Sequence, residues 1–281
     1  MAKKAASLVL LVVMLVSVIP STVLAANKGW VKKGNDWYYY ESDGSMAMGW
    51  KKIGKTWYFF DDDYGNMYSD AWHWETNSKG IDVAYYFAES GAMQSNKWKL
   101  YYVSDKENWM YLTSDGSSAV GWKKIGKDWY YFDEEDYVEN QHYACMVSES
   151  IIDGRYYVDK SGKMVKNKWI MWYEDPGYYR DWLYFDKNGM VVQNCWKQID
   201  KKWYYFSFDG FAYTGLRYLD YNGKEEAFYF DEMNANMLTG WIYKYSNWYY
   251  GKSSGVLYRD CSVKIGGKTY TFDSYGRCLN P

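Results

Sequence analysis

The chain has 281 residues, 22% of them aromatic, with three Pro, two His, four Cys and a net charge of −2. A near-neutral chain lacks the basic excess that gripping a phosphate backbone demands, and two histidines leave little room for His-based metal or triad chemistry. Intrinsic disorder calls for few aromatics and high net charge; here rings carry the apolar area instead.

The first 25 residues read as a secretory signal peptide. Lys3 and Lys4 precede an apolar run from Leu8 to Ile19, and Val23-Leu24-Ala25 supplies small residues before a cleavage site after Ala25. That run spans about 18 Å as a helix, too short for a bilayer core of roughly 30 Å. The expected product is a secreted domain, 26–281, with no membrane anchor after cleavage.

Beyond the leader the chain repeats itself with a period of about 20 residues, in the range of solenoid repeats. Gly29-Trp30-Val31-Lys32-Lys33-Gly34-Asn35-Asp36-Trp37-Tyr38-Tyr39-Tyr40 is followed by Gly49-Trp50-Lys51-Lys52-Ile53-Gly54-Lys55-Thr56-Trp57-Tyr58-Phe59-Phe60. Similar strings begin at Gly121 and Cys195, and looser copies begin near Trp72, Trp98, Ile151, Trp169, Leu216, Trp241 and Cys261. About eleven units fill 29–281. Aromatics favour strands, and Gly34-Asn35 and Gly54-Lys55 are tight-turn sequences, so each unit is predicted to be a β-hairpin. In the second strand Trp37 and Tyr39 share one face, and Tyr38 and Tyr40 the other. A lone hairpin is marginal in water, whereas stacking many buries one face continuously. The predicted fold is an all-β solenoid of stacked hairpins.

A solenoid core normally draws on Leu, Ile and Val, so the repeated rings have two readings. They hold hairpin to hairpin, or they leave aromatic patches for a ligand. Ring faces suit a quaternary ammonium through cation–π attraction of about 0.5–2 kcal/mol, and rings also stack on sugars. Catalysis is disfavoured. The recurrent acids Asp61, Asp133, Asp186 and Asp231 fall at turns rather than as the paired carboxylates of a glycosidase. His142 and Cys145 lack a visible orienting partner, and His73 between two Trp reads as a packed ring. The acids Glu134, Glu135, Asp136 and Glu139 lack EF-hand spacing and read as a solvated loop. No cofactor, metal site or nucleic-acid partner is expected. Cys261 and Cys278 bracket the last unit and are candidates for a disulfide in an oxidising space; Cys145 with Cys195 has no local argument.

The string Gly-Trp-Lys-Lys-Ile-Gly-Lys-x-Trp-Tyr-Tyr-Phe-Asp, with Gly-x-Met after it, resembles the cell-wall-binding, or choline-binding, repeat of Gram-positive bacteria. The resemblance implies a left-handed β-solenoid that attaches exported proteins to choline on teichoic acids, and related repeats bind glucans. It implies sites made of two Trp from one hairpin and a Tyr from the next. By position these are Trp30, Trp37 and Tyr58; Trp50, Trp57 and Tyr85; Trp98, Trp109 and Tyr130; and Trp122, Trp129 and Tyr156. Further along they are Trp169, Trp182 and Tyr204; Trp196, Trp203 and Phe228, which loses the hydroxyl; and Trp241, Trp248 and Tyr270. Met46, Met67, Met164 and Met190 stand where the family places an apolar wall. The unit at Trp72 has Ala84 in place of its second Trp, which breaks that site, and the unit at Ile151 lacks both. Insertions at 134–147 and 173–180 lengthen loops. The implied function is non-catalytic attachment to choline-bearing teichoic acid or a similar wall polymer. The alternatives are a glucan- or peptidoglycan-binding module, or an adhesin without a small ligand.

Overall fold

The computed structural model describes residues 28–103, 106–134, 143–172 and 181–281. The expected signal peptide, the acidic residues Glu135, Asp136 and Glu139, His142 and the 173–180 insertion lie outside the described residues.

The described residues form twenty-two strands and no helix. They are β1 (Gly29–Lys33), β2 (Asp36–Tyr40), β3 (Gly49–Ile53), β4 (Thr56–Phe60), β5 (Ala71–Thr76), β6 (Asp82–Phe87), β7 (Lys97–Val103), β8 (Lys106–Leu112), β9 (Gly121–Ile125), β10 (Asp128–Phe132) and β11 (Ser150–Ile152). The rest are β12 (Tyr156–Val158), β13 (Lys168–Trp172), β14 (Asp181–Phe185), β15 (Cys195–Ile199), β16 (Lys202–Phe206), β17 (Gly215–Tyr221), β18 (Lys224–Phe230), β19 (Gly240–Lys244), β20 (Asn247–Gly251), β21 (Cys261–Ile265) and β22 (Lys268–Phe272). Each odd strand pairs antiparallel with the next, giving eleven two-stranded sheets. The repeat count and the all-β class expected from the sequence are both met.

The turns follow from residue type. Lys33 pairs with Asp36 across Gly34-Asn35, and Gly34 takes φ +64°, the left-handed geometry that two-residue hairpin turns require. Asp200-Lys201 and Tyr245-Ser246 take left-handed φ at both turn positions, without glycine. Period-2 alternation then sorts the rings: in β4 Trp57 is exposed, Tyr58 is half-buried, and Phe60 is fully buried. Phe87, Phe132, Phe206, Phe230 and Phe272 are buried in the same way at the ends of their strands.

The chain divides into two compact units, Met1–Ser95 with Ser114–Gly116, and Asn96–Thr113 with Ser117–Pro281. Within each, one hydrogen bond recurs between successive hairpins. The turn residue that follows a hairpin donates its backbone N–H to a carbonyl at the second-Trp position of the hairpin before. In the first unit Met67 donates to Trp37 and Met93 to Trp57, at 2.7 and 2.9 Å. In the second, Met146 donates to Trp109, Met164 to Trp129 and Met237 to Trp203. The same residues bridge back to their own hairpin, as Met67 does to Phe60. A two-stranded sheet leaves both edges unpaired; this arrangement satisfies one and fixes the stacking register. Met190 departs from the expectation, because Val191 takes the bridging position opposite Phe185 and donates to Arg155, leaving Met190 41% exposed.

The expected Cys261–Cys278 disulfide is not formed, and all four cysteines are free thiols. Cys261 pairs with Phe272 on one edge of β22 while Cys278 bridges the same Phe272 from the other. Two strand spacings separate their Cα atoms by about 9–10 Å, beyond the roughly 7 Å a disulfide spans. Closeness in the repeat unit therefore placed them on opposite sides of one strand.

Candidate functional site

Alternation along each second strand decides what faces what. Trp57 and Tyr58 are neighbours in sequence, so they point to opposite faces of β4. Tyr58 faces the hairpin before, and Trp57 faces the one after. In the first unit Trp30 meets Trp37 edge-on at 6.3 Å and 87°, and meets Tyr58 of the next hairpin at 4.9 Å. Trp50 repeats this with Trp57 at 6.2 Å and 87°, and with Tyr85 at 4.7 Å. Two perpendicular indoles make a corner, and the third ring closes it to a cup. Phe60 lies behind Trp30 at 5.9 Å and Phe87 behind Trp50 at 5.5 Å, forming the buried floor.

The second unit builds the same object repeatedly. Trp169 meets Trp182 at 6.3 Å and Tyr204 at 4.8 Å. Trp241 meets Trp248 at 5.9 Å and Tyr270 at 4.6 Å, around a cavity of about 310 Å³ that Pro281 also lines. Trp122 meets Tyr156 at 5.2 Å and shares with Trp129 and Met164 a cavity of about 380 Å³. Trp196 meets Phe228 at 4.9 Å, and with Trp203, Tyr221 and Met237 it lines a cavity of about 280 Å³. Trp98 meets Tyr130 at 5.0 Å. In β7–β8 the strands are longer than most and not their connection, so Trp109 keeps its register and pairs with Leu100 just as Trp57 pairs with Lys52.

The rings are not spent as interior filler. Trp37, Trp57, Trp109, Trp203 and Trp248 keep 36–45% of their surface in solvent. Their π faces already attract the chain's own cations, with the ammonium of Lys32 5.8 Å from the Trp37 ring and that of Lys52 5.7 Å from Trp57. The cup at Trp50 has a further feature. Glu75 Oε2 accepts a hydrogen bond from Trp50 Nε1 at 2.9 Å and lies 3.3 Å from His73 Nε2. Burial, with Glu75 and Asp115 nearby, pushes the Tyr85 phenol up to about 12 and keeps it neutral.

Residue reasoning missed several partners. The floor phenylalanines were legible as the third ring of each Tyr-Tyr-Phe triplet, on the same face as the cup tyrosine. Tyr221 reaches the Trp196 cavity because β17 is longer than most first strands, and meets Phe228 edge-on at 5.6 Å. Tyr243 lies across from Trp248 with its ring 4.9 Å away, a position that holds Lys in the regular copies. The nucleophile reading of Cys145 fails, since burial and then Asp133 push its thiol up to about 12, and a protonated thiol is a poor nucleophile.

Stacked hairpins presenting half-exposed three-ring cups define a repeat-type binding module. The choline-binding repeat profile matches residues 27–72, and the cell wall binding repeat profile matches 120–135, 196–210 and 239–257. The modular autolysin LytC from Streptococcus pneumoniae is similar over 90% of this chain and 53% of its own, at 26% identity and a TM-score of 0.59. Its complex with a synthetic peptidoglycan ligand gives 0.60 at the same identity. Glucosyltransferase-S from Streptococcus mutans is 28% identical over 257 residues, 89% of this chain. The chain spans 16% of that enzyme's length and about half of the autolysin's. Over these segments the chain carries choline-binding and cell-wall-binding repeats, and what it shares with these relatives is a cell-wall- or carbohydrate-binding module.

Proposed function

We propose that the chain is an exported, non-catalytic anchor that holds choline-bearing teichoic acid or a similar wall polymer, each cup taking one trimethylammonium head. The observation that carries this reading is the perpendicular Trp pair closed by a third ring, as at Trp50, Trp57 and Tyr85. Three π faces around one opening suit a cation that is too diffuse for a salt bridge. Each ring contributes about 0.5–2 kcal/mol, so a single cup is weak and an array on one polymer is strong. The leader-like residues 1–25 support export to the wall. The recurrent acids support no hydrolysis, because Asp61, Asp186 and Asp231 are engaged by the amides of their own turns. The test is retention on a choline or tertiary-amine matrix and release by free choline; passage straight through the column removes the choline reading. A wall-hydrolysis assay is expected to be blank.

The glycosyltransferase relative and the autolysin's peptidoglycan complex favour a second reading, in which the cups stack on sugars. Glycan-array binding that free choline does not displace would select it. If Trp50→Ala and Trp122→Ala lower stability and leave retention unchanged, the rings serve only as structure.

A further inference from the structure

Four hairpins lack the second Trp, and two of them, β5–β6 and β17–β18, make the same exchange across their strands. In β5–β6 the second-Trp position is Ala84, and Trp74 stands directly opposite, where β3 carries Lys52. In β17–β18 the position is Ala227, and Tyr218 stands opposite. Both alanines are fully buried, and both transposed rings are 39% exposed, close to the 40% of Trp57 in a regular hairpin. A directly opposed cross-strand pair has its Cβ atoms about 5 Å apart. A large ring on one strand therefore fills the room its small partner vacates on the other. The exchange moves the ring by one strand and keeps it on the cup face.

The rest of the cup wall survives in β5–β6. Trp72 and Trp74 are two residues apart on β5 and share a face. Trp72 meets Tyr86 at 5.1 Å, as Trp50 meets Phe59 at 5.4 Å. The β17–β18 copy shows what a ring at this register holds. The Arg259 guanidinium lies 5.3 Å from the centre of the Tyr218 ring, and the same guanidinium donates to the Glu225 carbonyl at 2.8 Å. There the chain's own cation occupies the transposed ring.

We infer that Trp72 and Trp74 form an additional binding site for a quaternary ammonium or similarly compact organic cation, in the unit whose missing Trp had marked its site as broken. The inference rests on the cup reading above. The experiment is ¹⁹F NMR of the full chain labelled with 5-fluorotryptophan and titrated with choline chloride, with sodium chloride as control. The Trp74 resonance is assigned by its loss in Trp74→Phe, and that of Trp57 by its loss in Trp57→Phe. Both resonances are expected to move with choline and not with the control. Calorimetry of Trp74→Lys is expected to show one bound equivalent fewer, and Trp74→Lys with Ala84→Trp, which recreates the regular layout, to regain it. A Trp57 signal that moves while Trp74 stays fixed overturns this inference and leaves the other cups standing. Two stationary signals overturn both.

Discussion

Glu75 stands at a strand position where the regular hairpins carry Ile53, Ile125, Ile199 and Ile265. Its carboxylate takes the Trp50 indole N–H. At the Trp196 cup the corresponding residue is Leu219, and the Trp196 Nε1 is buried without an acceptor among the described residues. Glu75 therefore places a carboxylate directly against the Trp50 cup. Glu75→Gln keeps a hydrogen-bond acceptor and removes the charge. At a separation on the order of 6 Å in water the lost attraction is about 0.7 kcal/mol, roughly threefold in choline affinity at that cup. The difference should fade in high salt; an equal affinity at low salt refutes the electrostatic role. A second residue-scale prediction concerns the thiols. Cys195 is exposed and Cys145 is buried with its thiol held protonated. Brief alkylation of the native chain, read by peptide mass, should label Cys195 and spare Cys145, and rapid labelling of Cys145 would contradict the packing described.

The turn after each hairpin is the element that the stacking depends on. Burial acts to raise Asp159, but hydrogen bonds from the Ser161 hydroxyl and from the amides of Ser161 and Lys163 outweigh it and hold the carboxyl below its usual range. Asp231 and Asp273 are depressed on the same pattern, burial being offset by turn amides and by the Asn234 and Arg277 side chains. A carboxyl depressed in the folded state binds fewer protons than the unfolded chain does. Its contribution is complete above the unfolded value near 4 and is lost as pH falls below that toward the folded value. The denaturation midpoint should therefore drop between about pH 5 and pH 3, and replacing all three with Asn should flatten that drop; an unchanged slope would place acid sensitivity elsewhere. Gly91 makes the companion point. Its φ is +75°, and a Cβ there would come within 2.1 Å of Met67 Sδ, so Gly91→Ala should cost about 1–2 kcal/mol from backbone geometry alone, measurable by urea unfolding. The acids of these turns were legible in the sequence because they recur after the aromatic strands, and so were the hairpins, because rings alternate with period 2. The cups were legible only through spacing shared with a family. The transposition of Trp74 was not legible at all, since Ala84 looks like a loss until the register sets Trp74 opposite it. The cysteine pairing failed for a related reason: spacing gives the ends of a unit and not which edge of β22 each one reaches.

At the scale of the whole molecule the question is whether the cups act separately. Each three-ring cup is bounded by two successive hairpins, and the floor residue behind it, Val158 at the Trp122 cup and Phe at the others, is sealed. Removing the outer Trp of a cup takes away exposed surface and leaves the floor in place. Trp57→Ala, Trp203→Ala and Trp248→Ala, singly and together, should then leave the affinity of the remaining cups for free choline unchanged while the number bound falls by one per substitution. Polymer binding should respond differently. When one cup is engaged the next meets its ligand at a high effective concentration, so each lost cup removes a multiplicative factor. The triple variant should accordingly lose on the order of a hundredfold or more in affinity for a choline-bearing polymer while its free-choline affinity per intact cup stays constant. Calorimetry with choline and surface-plasmon binding to immobilised polymer measure the two quantities on the same samples. If free-choline affinity fell in parallel with polymer affinity, the substitutions would be loosening the stack itself, and the cups would be one cooperative structure rather than independent grips on a common strand.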